Sequence, residues 1–95
     1  MDLYFLGGMR VSLISGDNLN NYKQEGKYRA ATDNIAASCE NSPTNNAFIM
    51  NVYHGGNSIV QQVVPFNGNI IYMRRHQISN QTWKNWYAFI GSVVE

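Results

Sequence analysis

Six carboxylates, two imidazoles and one thiol are the side chains of this 95-residue protein that could carry acid, base, nucleophilic or metal-binding chemistry. Enzymatic cleavage of a glycosidic bond generally needs two carboxyl groups held several ångströms apart. Asp2, Asp17, Glu25, Asp33, Glu40 and Glu95 are scattered, and none falls within the aromatic C-terminal region. His54 and His76 form neither an HxH nor an HExxH pattern and have no third ligand nearby in sequence, so no metal site is expected. Each histidine reads as a loop residue. Cys39 is the only cysteine, which rules out an intrachain disulfide and a thiolate zinc site; it reads as a buried, inert side chain, and no local signature pairs it with a histidine. The chain therefore reads as a non-enzyme with no cofactor and no metal.

Binding chemistry is better provided for. Sugars present apolar C–H faces and dense hydroxyl groups, so their sites combine aromatic platforms with amides and a few charges. Tyr53, Tyr72, Trp83, Trp86, Tyr87, Arg74, His54 and thirteen asparagines supply that inventory. The candidate binding residues are Tyr53, His54, Asn57, Arg74 and Trp83. The competing reading is packing: a domain this small needs large side chains as core, and both tryptophans lie three residues apart in Trp83-Lys84-Asn85-Trp86. Arg74 stacked on an indole across strands, a contact worth about 0.5–2 kcal/mol, explains Tyr72-Met73-Arg74 without any ligand. On balance the indoles read as holding the unit together, which leaves the hairpin tip, the loops and Trp83 for a glycan.

The elements that must position these groups are short strands. One domain of 95 residues buries a modest share of its surface, which favours association with further copies. A net charge of +1, 14% charged residues and no basic run give no footprint for nucleic acid or an anionic membrane. Asparagine and glycine, which accept the left-handed backbone of tight turns, fall between short apolar runs. Leu3-Tyr4-Phe5-Leu6 follows Asp2 and is broken by Gly7-Gly8, so it reads as neither a signal peptide nor a membrane span, but as a first strand or a docking arm. Met9 to Ile14 alternates as a half-exposed strand, a helical turn is expected around Leu19 and Tyr22, and Lys27 to Ala31 reads as a strand. Thr32 to Asn46 reads as the longest loop, anchored by Ile35-Ala36-Ala37. The clearest signal is a hairpin of Ala47–Tyr53 and Ser58–Val64 around His54-Gly55-Gly56-Asn57. Ile70 to Arg75 adds a third strand, with Ile71, Met73 and Arg75 on one side and Ile70, Tyr72 and Arg74 on the other. Trp86 to Ile90 adds a fourth strand.

Leu19-Asn20-Asn21-Tyr22, Gly26-Lys27-Tyr28, the central hairpin, Tyr72-Met73-Arg74 and Thr82-Trp83-Lys84-Asn85-Trp86 follow one another in an order that resembles the pyocin-knob type domain of bacteriophage and pyocin fibres. The likeness runs from about Leu19 to Ile90. The chain departs from the family pattern in its second arginine, Arg75, and in a polar tract before Trp83 that lacks the usual glycine pair. The resemblance implies a mainly β fold: a small antiparallel meander or sandwich-like knob with at most one short helical turn, assembled as a homotrimer. It implies residues 1–16 as an N-terminal arm or first strand, a possible particle-attachment segment, and 17–95 as the knob-like β-domain. It further implies a structural virion protein on the particle surface, a head fibre or tail fibre tip, acting in host attachment. The implied partners are other copies of the chain, virion proteins docked through Leu3, Tyr4, Phe5 and Leu6, and a host-cell glycan, with no nucleic acid and no membrane insertion. A purely structural decoration or trimer-capping unit, and a cell-wall-binding accessory domain, are the alternatives.

Overall fold

Alternation of apolar and polar residues in the middle of the chain builds the sheet that everything else hangs on. The computed structural model describes residues 11–94. In β3 (Phe48–Gly55), Phe48, Met50 and Val52 are buried, while the residues between them face the other way. β4 (Ser58–Pro65) does the same with Ile59, Gln61 and Val63. Gly55 pairs with Ser58, so the turn is only Gly56-Asn57, two residues shorter than the loop read from the sequence. Gly56 sits at φ 53°, the positive-φ first position that a type II′ hairpin turn requires.

β5 (Ile70–Gln77) pairs antiparallel with β4, with Gln61 opposite Arg74 and Ile59 opposite His76. On the other side β2 (Gly26–Ala30) pairs antiparallel with β3, and β1 (Val11–Ser12) pairs parallel with β2. The far edge of β5 is shared by two short strands, β6 (Thr82–Trp83) and β7 (Tyr87–Ile90). The result is a mainly β, mostly antiparallel, seven-stranded sheet. Leu3, Tyr4, Phe5 and Leu6, and the Met9-Arg10 start of the expected first strand, lie outside the described residues.

One face of the sheet is covered by the chain segments between strands, and the core lies there: Leu13, Leu19, Tyr28, Ala30, Ala36, Phe48, Met50, Val52, Ile59 and Val63 are all buried. The turn expected around Leu19 forms as a 3-10 turn, Leu19–Asn21, with Asn18 Oδ1 accepting from the Asn20 amide at 2.9 Å. Leu19 is fully buried, and Tyr22 is partly buried against the core. The stretch read as the longest loop contains a short helix, α1 (Asp33–Ser38). Its N-cap is Thr32, extended at φ −132°, whose hydroxyl accepts from the Ile35 amide at 3.2 Å. That capping contact, with Asp33 in the first turn, outweighs the turn-forming composition around it.

The opposite face is open. Cross-strand partners place Ile49, Val60, Val64, Ile71, Met73, Tyr87 and Phe89 on it in adjoining rows. Ile71 is 38% exposed, Phe89 53% and Tyr87 61%.

Candidate functional site

The site grows from a mismatch in strand pairing. His76 faces Trp83 and Met73 faces Tyr87, so four steps of the returning chain oppose three steps of β5. The extra residue makes a bulge. Two tryptophans three apart on a regular strand would point to opposite faces. Here the bulge brings both to the covered face, where the Arg74 guanidinium lies 4.0 Å from the Trp83 ring and 4.6 Å from the Trp86 ring. The Lys84 amide, donating to the Arg75 carbonyl at 2.8 Å, holds the bulged segment against β5.

Arg74 is itself positioned from behind. Its Nε donates to Gln61 Oε1 at 2.9 Å, and Gln61 Nε2 donates to the carbonyls of Leu19 at 2.7 Å and Tyr22 at 2.9 Å. Gln61 is fully buried and Arg74 is 4% exposed. The chain Leu19/Tyr22, Gln61, Arg74, Trp83/Trp86 thus crosses the molecule from the 3-10 turn to the C-terminal segment. Burial lowers the Arg74 pKa to about 10. Desolvation disfavours the charged form, and among the described residues no carboxylate offsets it.

Both indoles also fix loops. Trp83 Nε1 donates to the Asn20 carbonyl at 3.3 Å, and Trp86 Nε1 to the Asn41 carbonyl at 3.0 Å. The two loops are joined to each other: Asn41 Nδ2 donates to Asn18 Oδ1 at 2.8 Å and the Leu19 amide to the Glu40 carbonyl at 3.0 Å. Asn41 reaches this place with φ 60°, a left-handed conformation that asparagine tolerates. Between these loops and the bulge lies a groove of about 360 Å³. Asn20, Asn41 and Ser42 line one side, Lys84 and Asn85 the other, with Arg74, Trp83 and Trp86 between.

His76 is a strand residue, not the loop residue expected from the sequence, because β5 runs through to Gln77. It is 1% exposed, with its ring 4.8 Å from that of Trp83, and neither ring nitrogen has a partner among the described residues. Burial first, then the positive charges of Lys23 and Arg74, push its pKa below the usual 6.5. The unfolded chain therefore binds a proton before the folded one does. Stability from this site is complete above pH 6.5 and is lost as pH falls below it. The thermal midpoint should drop on acidification through that range, and His76→Leu should flatten the drop.

The candidate binding residues divide into two groups. Arg74 and Trp83 come together in the groove. Tyr53 lies on the open face, its hydroxyl 3.3 Å from Gln62 Oε1, and His54 and Asn57 are exposed at the hairpin end. Sequence reasoning missed Gln61, Asn20, Asn41, Ser42, Lys84 and Asn85. Gln61 carried a readable signal, since it shares strand parity with Ile59 and Val63 and so occupies a core position. Trp86 was read as core, and both indoles are half-buried against it. Cys39 is buried, as expected, and burial with the nearby Asp17 raises its pKa, which keeps it a thiol. Among the described residues no three His, Cys, Asp or Glu side chains gather, and no helix is long and apolar enough to cross a membrane.

No protein-family model and no curated protein matches the chain. Solved structures do. An N-truncated R2-type pyocin tail fibre superposes with a TM-score of 0.75 at 28% identity, over 84% of this chain and 32% of that one. C-terminal fragments of the P. aeruginosa R2 and R1 pyocin fibres give TM-scores of 0.76 and 0.74 at 27% and 26% identity. Each covers 96% of this chain, which spans 25% and 24% of those fragments. Among the ordered sequence elements, Arg74, Trp83 and Trp86 form a clamp, the guanidinium set against both indoles, and Leu19 and Tyr22 belong to the turn that braces it through Gln61, whereas Gly26-Lys27-Tyr28 lies in β2. Fold and sequence order agree in making the chain similar to pyocin tail fibres, a likeness that supports a mainly β, pyocin-fibre-type structural domain and indicates a component of the surface of a phage-like particle.

Proposed function

We propose that this fibre domain acts as a homotrimer in host attachment, as a head fibre or tail fibre tip that contacts carbohydrate on the cell surface. The observation that carries the adhesive reading is the groove: indole surface, three asparagines, a serine hydroxyl and two cations line one cleft. The trimeric reading is supported by the open face, where rows of aliphatic and aromatic side chains would be costly to leave in water on a lone chain. Leu3, Tyr4, Phe5 and Leu6 are assigned to attachment on other virion proteins. The role needs no catalysis.

Purified chain is expected to adsorb to host cells and to retain defined surface glycans on an array. Absence of binding to every host surface would contradict adhesion. It would favour the second reading, a purely structural decoration or trimer-capping unit, which has its own support: packing alone engages Arg74, Trp83 and Trp86. In that case removing residues 2–6 should release the chain from particles without unfolding it. On either reading His54 and Asn57 lie clear of the packed face, and His54→Ala should leave the thermal midpoint unchanged; loss of adsorption in that variant would place the contact at the hairpin.

A further inference from the structure

We propose that the groove over Arg74 takes an anionic saccharide, whose ring rests against the two indoles and whose carboxylate or phosphate pairs with Arg74 and Lys84; the proposal rests on the carbohydrate reading above. The first argument is charge. Arg74 and Lys84 both line the groove, and its other lining side chains are neutral. Arg74 is 4% exposed, and among the described residues no carboxylate answers it. A buried cation without a counter-ion is unfavourable, and an anion that supplies one gains more than it would at a solvated lysine.

The second argument is hydrogen bonding. Arg74 Nη2 is a buried donor with no acceptor, and Asn20 Oδ1 is a buried acceptor with no donor. Both residues line the same groove. Buried polar groups are nearly always paired, so two complementary orphans at one cleft call for a ligand bearing both partners. A hydroxylated acid brings them: acid oxygens for the guanidinium and hydroxyl hydrogens for the amide. A neutral sugar would meet Asn20 but leave the charge on Arg74 unanswered, and an apolar ligand would meet neither. The third argument is size: about 360 Å³ lies within the range of small-ligand sites, roughly 300–1,000 Å³.

The test is calorimetric titration of the full chain with hexuronate oligosaccharides, the same oligosaccharides reduced to neutral hexoses, and hexose 6-phosphate. An acidic probe should bind about tenfold or more tightly than its neutral counterpart, the two acidic arms showing which acid is preferred. Lys84→Gln, on the exposed rim, should weaken acid binding about tenfold while leaving the thermal midpoint unchanged. Raising the salt should weaken the wild type more than the variant. Equal affinity for acidic and neutral probes, or no effect of Lys84→Gln, overturns the anionic assignment and leaves the carbohydrate reading standing. Failure of every probe to bind overturns the groove as a site; whether the carbohydrate reading falls with it is then decided by host-cell adsorption.

Discussion

Gln61→Ala is expected to destabilise the chain by about 3–5 kcal/mol, a large part of what a domain of this size possesses. The reason is that one buried side chain serves three partners at once. Its amide nitrogen satisfies the Leu19 and Tyr22 carbonyls, and its amide oxygen satisfies Arg74 Nε. Each buried group left unmet costs about 1–3 kcal/mol, and the truncation leaves a cavity beside Leu19 and Val63 as well. Urea denaturation followed by circular dichroism measures the change. A loss under about 1 kcal/mol would show that the 3-10 turn and the sheet are held together by packing alone.

Arg74 gives the second large effect, and its direction depends on what replaces it. Arg74→Ala removes two cation–π contacts, orphans Gln61 Oε1 and empties the space between two indoles, for an expected loss of about 3–5 kcal/mol. Arg74→Met should recover most of that and fall within about 2 kcal/mol of the wild type. Methionine fills the same length, packs well on aromatic rings, and spares the cost of burying an unpaired charge. Equal damage from both substitutions would mean that the guanidinium itself, and not the occupied volume, keeps Trp83 and Trp86 in place. The two variants also separate the arginine's structural role from the anion-binding role proposed for it, because Arg74→Met keeps the clamp filled while removing the charge.

Much of this organisation is legible in the residues. The central hairpin and the faces of Ile70 to Arg75 follow from alternation of period two, and Tyr72, Arg74 and His76 point to the covered face as their parity requires. The stacking of Arg74 on an indole is visible in the proximity of the residue types. Three features were not legible, each for a physical reason. The helix at Asp33–Ser38 is six residues long, too short to show periodicity, and is fixed by one cap and one buried alanine. The bulge that brings both indoles to one side depends on pairing register, which two segments joined by a turn do not reveal singly. The groove depends on long-range hydrogen bonds from Trp83 to Asn20 and from Trp86 to Asn41, between segments far apart in sequence. His76 was misplaced because the polar run that follows it masks the last two residues of β5.

The shape of the molecule makes sense for a fibre component. Its core lies on one face, where the 3-10 turn, α1 and the bulged C-terminal segment cover the sheet. The other face leaves Ile71, Tyr87 and Phe89 exposed, and the trimer proposed above would cover them. Because Arg74, Trp83 and Trp86 lie on the covered side, the groove would remain open in the proposed trimer. The small charge excess adds little long-range repulsion between copies.

The mass of the full chain in solution, measured by sedimentation equilibrium across a range of concentrations, tests this account most directly. The fibre reading predicts a species of three times the 10.8 kDa chain mass, dispersed to smaller species by a charge placed on the open face, as in Ile71→Lys. A stable monomer at all concentrations, with the apolar face left in water, would contradict it.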